Sequence, residues 1–284
     1  MSLFPKNSKP LSPRTRRTLR ILEAVLLLVF LFSSVKVVSA LRTYREHDAV
    51  YEELSGQYVS APAAAVTPQP AAETPAPEEP EECPWPEPLK ETPPVTVDMA
   101  AVTAENPDTV GWIYAPDTPV NYPVVQGADN DFYLYHTFRR LYDGYGTIFL
   151  DCRDARDFSA PSALVYGHNM QNGSMFAGLM KYARSGWYEE HPALWFFTEE
   201  TTYKLLPLRG IFTWDKDILY GGPLSRGQLE EWLEAAAPAS TFQPEDESVV
   251  SRAEHVLFLS TCSNRTAGEK YVLALAMVPV AGED

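Results

Sequence analysis

Two residues in this chain have the types and settings that acyl-transfer chemistry needs. Cys262 ends an apolar run, His255-Val256-Leu257-Phe258-Leu259-Ser260-Thr261-Cys262, and the turn-forming Ser263-Asn264 follows it. His168 ends a second run, Ala163-Leu164-Val165-Tyr166-Gly167-His168. Two strand tips of this kind can set a thiol beside an imidazole. A thiol near its free pKa is mostly protonated at neutral pH, so a nucleophilic cysteine needs a proton acceptor or a cation close by. The competing reading of Cys262 alone is an inert small hydrophobe in a strand. His136, whose neighbours match no catalytic motif, reads as structural, and His191, next to a proline, reads as a surface turn residue. No glycine-rich phosphate loop and no His/Cys ligand spacing appears, so neither cofactor nor metal is expected. The acidic loop with Asp151, Asp154 and Asp157 offers calcium only a weak site.

The elements that must position these groups are mostly strands. Val256 to Leu259 is apolar on both alternating faces, as expected of a strand covered on both sides. Tyr271 to Val278 has the same character, and by period two Lys270 shares a face with Val272 and Ala274. Further strands are expected at Trp112 to Tyr114, Thr147 to Leu150, Ala193 to Phe197, Thr201 to Ile211 and Phe212 to Leu219, and Asp117 to Val125 reads as a turn plus a strand. Asp98 predicts the cap of a short helix that ends at Asn106-Pro107, and Met175 to Met180 reads as another helix. Leu229, Trp232, Leu233 and Ala236 fall at i, i+3, i+4 and i+7, which makes an amphipathic helix ahead of the cysteine strand. Many strands, few helices and no βα alternation point to a mainly β fold with a closed antiparallel or mixed barrel.

Several segments in register carry a resemblance to class B sortases. Leu259-Ser260-Thr261-Cys262 resembles the Leu-x-Thr-Cys signature of sortases, and Tyr166-Gly167-His168-Asn169-Met170 resembles the class B histidine motif. Asn106 to Ile113, Asn121 to Gln126, Thr147 to Asp151 and Ser174-Met175-Phe176 are similar to class B segments in the same order. The resemblance runs over roughly residues 97 to 280 and implies a sortase-type barrel with an inserted helix before the cysteine strand. It also implies a cysteine transpeptidase in which Cys262 forms a thioester with a C-terminal sorting motif of another exported protein. His168 would then protonate the leaving amine and deprotonate the incoming one. The acceptor amine would belong to a peptidoglycan precursor or a surface protein. One position departs from the family. Sortases carry an arginine at the start of the last strand, and the matching residue here is Lys270, which cannot make the bidentate contact of a guanidinium. Lys270 and, outside the motif position, Arg265 three residues after the cysteine are therefore the candidate cations, and the resemblance implies that Ser260 and Thr261 of the signature bind substrate. The alternative function is therefore a catalytically silent sortase-like binding module on a stalk. The order His168 before Cys262 excludes a papain-like protease, and the absence of a Ser-x-Gly pattern at the cysteine excludes an L,D-transpeptidase.

The flanks complete the organisation. Residues 1 to 20 form a basic head with Lys6, Lys9, Arg14, Arg16, Arg17 and Arg20, and residues 21 to 41 form an apolar run long enough to span a bilayer. The basic flank predicts a cytoplasmic N-terminus and an extracellular catalytic domain on a single-pass anchor. A cleaved signal peptide is the rival, because Val38-Ser39-Ala40 fits a cleavage site. Residues 42 to 96 are expected to be a helical stem and a Pro/Ala/Glu-rich spacer that holds the domain (97 to 284) away from the membrane. The net charge of −15, with no basic cluster beyond the head, argues against a nucleic-acid partner. The three cysteines leave at least one thiol unpaired within the chain; Cys83 and Cys152 are expected to be reduced.

Overall fold

The computed structural model describes residues 12–62, 88–214 and 221–281. Cys83, most of the Pro/Ala/Glu-rich segment and the greater part of the strand expected over Phe212 to Leu219 lie outside the described residues. In chain order the elements are α1 (Pro13–Tyr58), β1 (Val59–Ser60), β2 (Thr96–Val97), α2 (Met99–Glu105), β3 (Thr109–Tyr114), β4 (Asn121–Val125), β5 (Ile148–Leu150) and β6 (Ser162–Tyr166). A 3-10 helix (Phe176–Ala183), α3 (Trp187–Glu190), β7 (Leu194–Phe197), β8 (Thr202–Thr213), α4 (Arg226–Ala236), α5 (Ser248–Arg252), β9 (Val256–Cys262) and β10 (Lys270–Val280) follow.

Eight of the strands close into one barrel in the order β10-β8-β7-β3-β4-β5-β6-β9. The pairs β4–β5 and β6–β9 are parallel and the others antiparallel, so the barrel is mixed. A barrel of this strand number has an interior that side chains can fill. Closure explains the apolar strands of the sequence. β9 is buried from Val256 to Thr261 and opens only at Cys262, because one face looks into the barrel and the other is covered from outside.

The outer cover is α4. Leu229, Leu233 and Ala236 pack on Leu164 of β6, Leu208 and Ile211 of β8, Val256 and Phe258 of β9, and Val272, Ala274 and Ala276 of β10. Trp232 adds an edge-on contact to Phe258 with centroids 4.8 Å apart. Ser225 and Gln228 form a capping box that starts the helix. Buried Arg209 of β8 ties down its far end, donating to the carbonyls of Leu208 and Leu233 and pairing with Glu247. The amphipathic stripe read from the sequence is the stripe that packs, and truncating a leucine in it costs about 2–5 kcal/mol.

Two expectations change in detail. Met175 to Met180 forms part of a 3-10 helix and not an α-helix. The segment is short, enters through Met175 at φ 53°, and is held by the Phe176 amide donating to the His168 carbonyl, which suits the tighter turn of a connector.

The second change concerns the stem. The chain divides into two compact units, Met1–Ala49 and Val50–Asp284, so the second unit starts well before the boundary at 97. The last turns of α1 belong to it: Tyr51, Leu54 and Tyr58 lie at i, i+3 and i+7 and are all buried. The Tyr51 hydroxyl donates to the Gly146 carbonyl, Tyr58 bonds Glu105, and Glu53 pairs with Arg139. β1 then pairs with β2, Val59 opposite Val97 and Ser60 opposite Thr96. The two ends of the proline-rich segment are thereby held side by side.

The β5–β6 connection contains a carboxyl that titrates unusually. Asp154 is buried, accepts the Leu164 amide at 2.6 Å, and burial pushes its pKa up to about 7. A folded pKa above the ordinary 3.8 means the folded state holds a proton the unfolded state releases. Stability tied to this group is full at low pH and is lost as pH rises from about 4 through 7. Asp154→Asn removes the titration. Thermal melts of the variant relative to the parent chain should rise progressively over that window and be flat above it, and a difference that does not change with pH would contradict the assignment.

Candidate active site

Three strand ends converge at one rim. β6 and β9 run parallel with Tyr166 opposite Ser260, and the Gly167 amide donates to the Ser260 carbonyl at 3.1 Å. β10 runs antiparallel to β9 with Lys270 opposite Cys262. Leu164, Val256, Phe258, Val272 and Ala274 lie under α4, so by period two Tyr166, Ser260, Cys262 and Lys270 continue that same outer face past its covered part. There they line a cleft of about 470 Å³ together with Gly167, His168, Phe149 and Thr261. Asn130, Asp131 and Leu134 close it from the β4–β5 connection.

Within the cleft the Lys270 ammonium donates to the Cys262 sulfur at 3.0 Å. Both residues are part-buried, so the charge is poorly screened and stands where negative charge on sulfur or on an attacked carbonyl would develop. His168 is part-buried with Nε2 3.3 Å from the Leu134 carbonyl oxygen. Its loop is pinned to the cysteine strand: Asn169 donates to the Cys262 carbonyl at 2.7 Å. Behind the histidine strand, Tyr166 donates to Asp151 at 2.8 Å, and Asp151 also takes Arg153 at 2.5 Å and Asn130 at 3.0 Å. Burial, reinforced by the adjacent carboxylate, raises the Tyr166 pKa. Burial alone would raise Asp151 as well, but the hydrogen bonds from Arg153 and Tyr166 win and its carboxyl stays below the ordinary range. Asp151 and Asp154 are thus occupied within the fold, and no cluster fit to hold a metal ion occurs among the described residues.

The remaining candidates are placed as follows. Arg265 stacks over Phe212 at 4.0 Å, lies 3.7 Å from the Glu269 carboxylate and does not line the cleft. Glu269 is buried and bonded to Ser263 at 2.5 Å, so Arg265 braces the turn between β9 and β10. Ser260 and Thr261 both line the cleft, and both hydroxyls are buried without a hydrogen-bond partner. By strand parity Ser260 shares the face of Cys262 while Thr261 points to the opposite one. His136 stacks on Phe132 at 4.1 Å and His191 on Trp187 at 3.7 Å, and neither lines the cleft. Cys152 is a free thiol outside the cleft. A larger groove, about 1150 Å³, is lined by residues such as Glu91, Asp98, Tyr203 and Pro279 and contains no thiol or imidazole.

No family model matches the chain. Sortase B of Listeria monocytogenes is 31% identical over 167 residues, which is 58% of this chain and 67% of that protein. The chain belongs to the sortase B family. This is a family of cysteine transpeptidases. Among solved structures, the Staphylococcus aureus sortase B-substrate complex matches with a TM-score of 0.58 and 26% identity, over 64% of this chain and 85% of that one. Clostridium perfringens sortase B matches with a TM-score of 0.58 and 25% identity, over 63% and 98%.

Sequence reading named the thiol, the imidazole and the two cations of this sortase, but missed Asn169 as the tie between the two loops and the 130–134 segment as the cleft wall. It also missed why residue 167 is glycine. A Cβ there would lie 2.5 Å from the Phe176 ring, closer than side chains tolerate. Gly167→Ala must therefore shift either Phe176 or the strand end that presents His168. Turnover should fall at least tenfold with the barrel intact by circular dichroism, and Phe176→Leu in the same chain should restore part of it. An alanine variant with unchanged turnover would show that the His168 position does not depend on this contact.

Proposed function

We propose that this sortase is a membrane-anchored transpeptidase that cuts a C-terminal sorting motif of exported proteins and transfers the acyl group to an amine. Cys262 attacks the scissile carbonyl and forms a thioester. His168 gives a proton to the leaving amine and later takes one from the incoming amine. Lys270 takes the place of the family's arginine and meets the charge on the tetrahedral intermediate's oxygen. Ser260 and Thr261, next to the nucleophile, line the cleft that would take the bound peptide. The observation that carries this reading is the ammonium 3.0 Å from the Cys262 sulfur in a cleft that His168 also lines. A silent binding module would have no reason to keep thiol, imidazole and cation on one lined face.

The apolar part of α1 supports the anchor. The helix is long and apolar enough to cross a membrane, and residues from Leu19 to Leu41 expose large apolar side chains. On the proposed topology the basic head stays in the cytoplasm and the barrel works outside the cell, with peptidoglycan precursors or surface proteins as amine donors.

Trapping with a peptide vinyl sulfone built on the sorting motif of a co-encoded exported protein tests the assignment. The full chain should be labelled once, at Cys262, Cys262→Ala should take no label, and His168→Ala should lower turnover by about 10²-fold or more. Label on Cys152 or Cys83 with Cys262 untouched would overturn the site, and unchanged turnover in His168→Ala would remove the imidazole from the mechanism.

A further inference from the structure

The Lys270–Cys262 contact also defines a site of chemistry that needs no peptide. An arginine at residue 270 would present a guanidinium, which stays charged and is a poor nucleophile. Lysine presents an amine that becomes nucleophilic once neutral. Its nitrogen lies 3.0 Å from a thiol sulfur whose carbonyl and neighbouring turn are held by Asn169 and the Ser263–Glu269 bond. The two residues sit opposite each other in the β9–β10 ladder, so the backbone already presents the amine to the sulfur. Neither Cys152 nor any other described thiol lines the cleft to act as a resolving partner.

We propose that Cys262 and Lys270 form a reversible oxidative cross-link, with hydrogen peroxide as the oxidant. In the first step the thiolate attacks one peroxide oxygen, the O–O bond breaks, and sulfenic acid forms while the other oxygen takes a proton from the Lys270 ammonium and leaves as water, which leaves the lysine amine neutral. Sulfur loses two electrons and peroxide gains them. In the second step the neutral Lys270 amine attacks the sulfenyl sulfur. The S–N bond forms, the S–O bond breaks, and the departing hydroxide takes the amine's proton and leaves as water. Thiol, amine and one peroxide thus give one S–N bond and two waters. Condensation of a sulfenic acid with a nearby nitrogen is an established rung of cysteine oxidation, and it precedes the irreversible sulfinic acid. A dithiol returns both groups: one thiol attacks the sulfur and releases the amine, and the second resolves the mixed disulfide. The cross-link would spare the nucleophile during oxidation, a protection the family's arginine cannot give.

Peptide mapping by mass spectrometry decides the matter without reference to sorting activity, so its outcome is separable from that of the transpeptidase reading. The full-length chain in detergent micelles is treated with a few equivalents of hydrogen peroxide and digested with and without prior dithiothreitol. We expect one species in which the peptides holding residues 262 and 270 are joined and together lighter by two hydrogen atoms, lost on reduction. Lys270→Arg should form no such species and should instead accumulate Cys262 heavier by two oxygen atoms. The proposal is overturned if the parent chain goes to the sulfinic acid as readily as Lys270→Arg, or if Cys262 forms a disulfide with Cys83 or Cys152. A link that retains an additional oxygen, bonded S–O–N, would overturn the S–N step.

Discussion

The register of β6, β9 and β10 is the constraint on which the site depends. The parallel ladder brings the chain after Tyr166 to the level of Ser260, and the antiparallel ladder sets Lys270 opposite Cys262. A slip of one residue in either ladder would turn the reactive side chains to the other face of the sheet. What prevents the slip is burial on both sides. Leu257 and Leu259 are fully buried, and Val256, Phe258, Val272 and Ala274 are sealed under α4. The inserted helix therefore does more than cover a sheet. It occupies part of one barrel face and leaves the remainder, where three strands end, as the cleft.

The loops complete what the ladders begin. Asn169 fastens the histidine loop to the cysteine strand, Glu269 and Arg265 brace the β9–β10 turn, and the 130–134 segment walls the cleft while Asn130 reaches back to Asp151. The hydrogen bonds among these are worth about 0.5–1.5 kcal/mol each, more where a charge takes part. Their value is positional, because proton transfer and nucleophilic attack tolerate little displacement.

How much of this was legible in the sequence follows from the range of the interactions. Strands apolar on both faces, the stripe of α4, the Asp98 cap and the parity that turns Lys270 toward the cysteine are local patterns, and all appear in the structure. The two strand tips marked His168 and Cys262 for the same reason. Other features depend on partners far along the chain. Tyr51, Leu54 and Tyr58 have helical spacing, but they stand among glutamates that read as a solvated stem, and only Gly146 and Glu105 reveal what they bury against. The return of the proline-rich segment to its starting point is set by the two-residue pairing of β1 with β2, too short to leave a periodic signal. Arg265 was a candidate for the cleft because it lies three residues after the cysteine; its stacking on Phe212, on another strand, is invisible to spacing.

The central claim is that Lys270, and not Arg265, supplies the cation beside the nucleophile. Its most direct test is the single-turnover rate of thioester formation with one sorting peptide, measured for the parent chain, Lys270→Ala, Lys270→Arg and Arg265→Ala. A donor to a developing oxyanion is worth about 2.7–4 kcal/mol, so Lys270→Ala should acylate about 10²–10³-fold more slowly. Lys270→Arg should retain or exceed the parent rate, and Arg265→Ala should stay within a few-fold of it. If Arg265→Ala slows acylation as much as Lys270→Ala, or if neither change reaches tenfold, the account is contradicted.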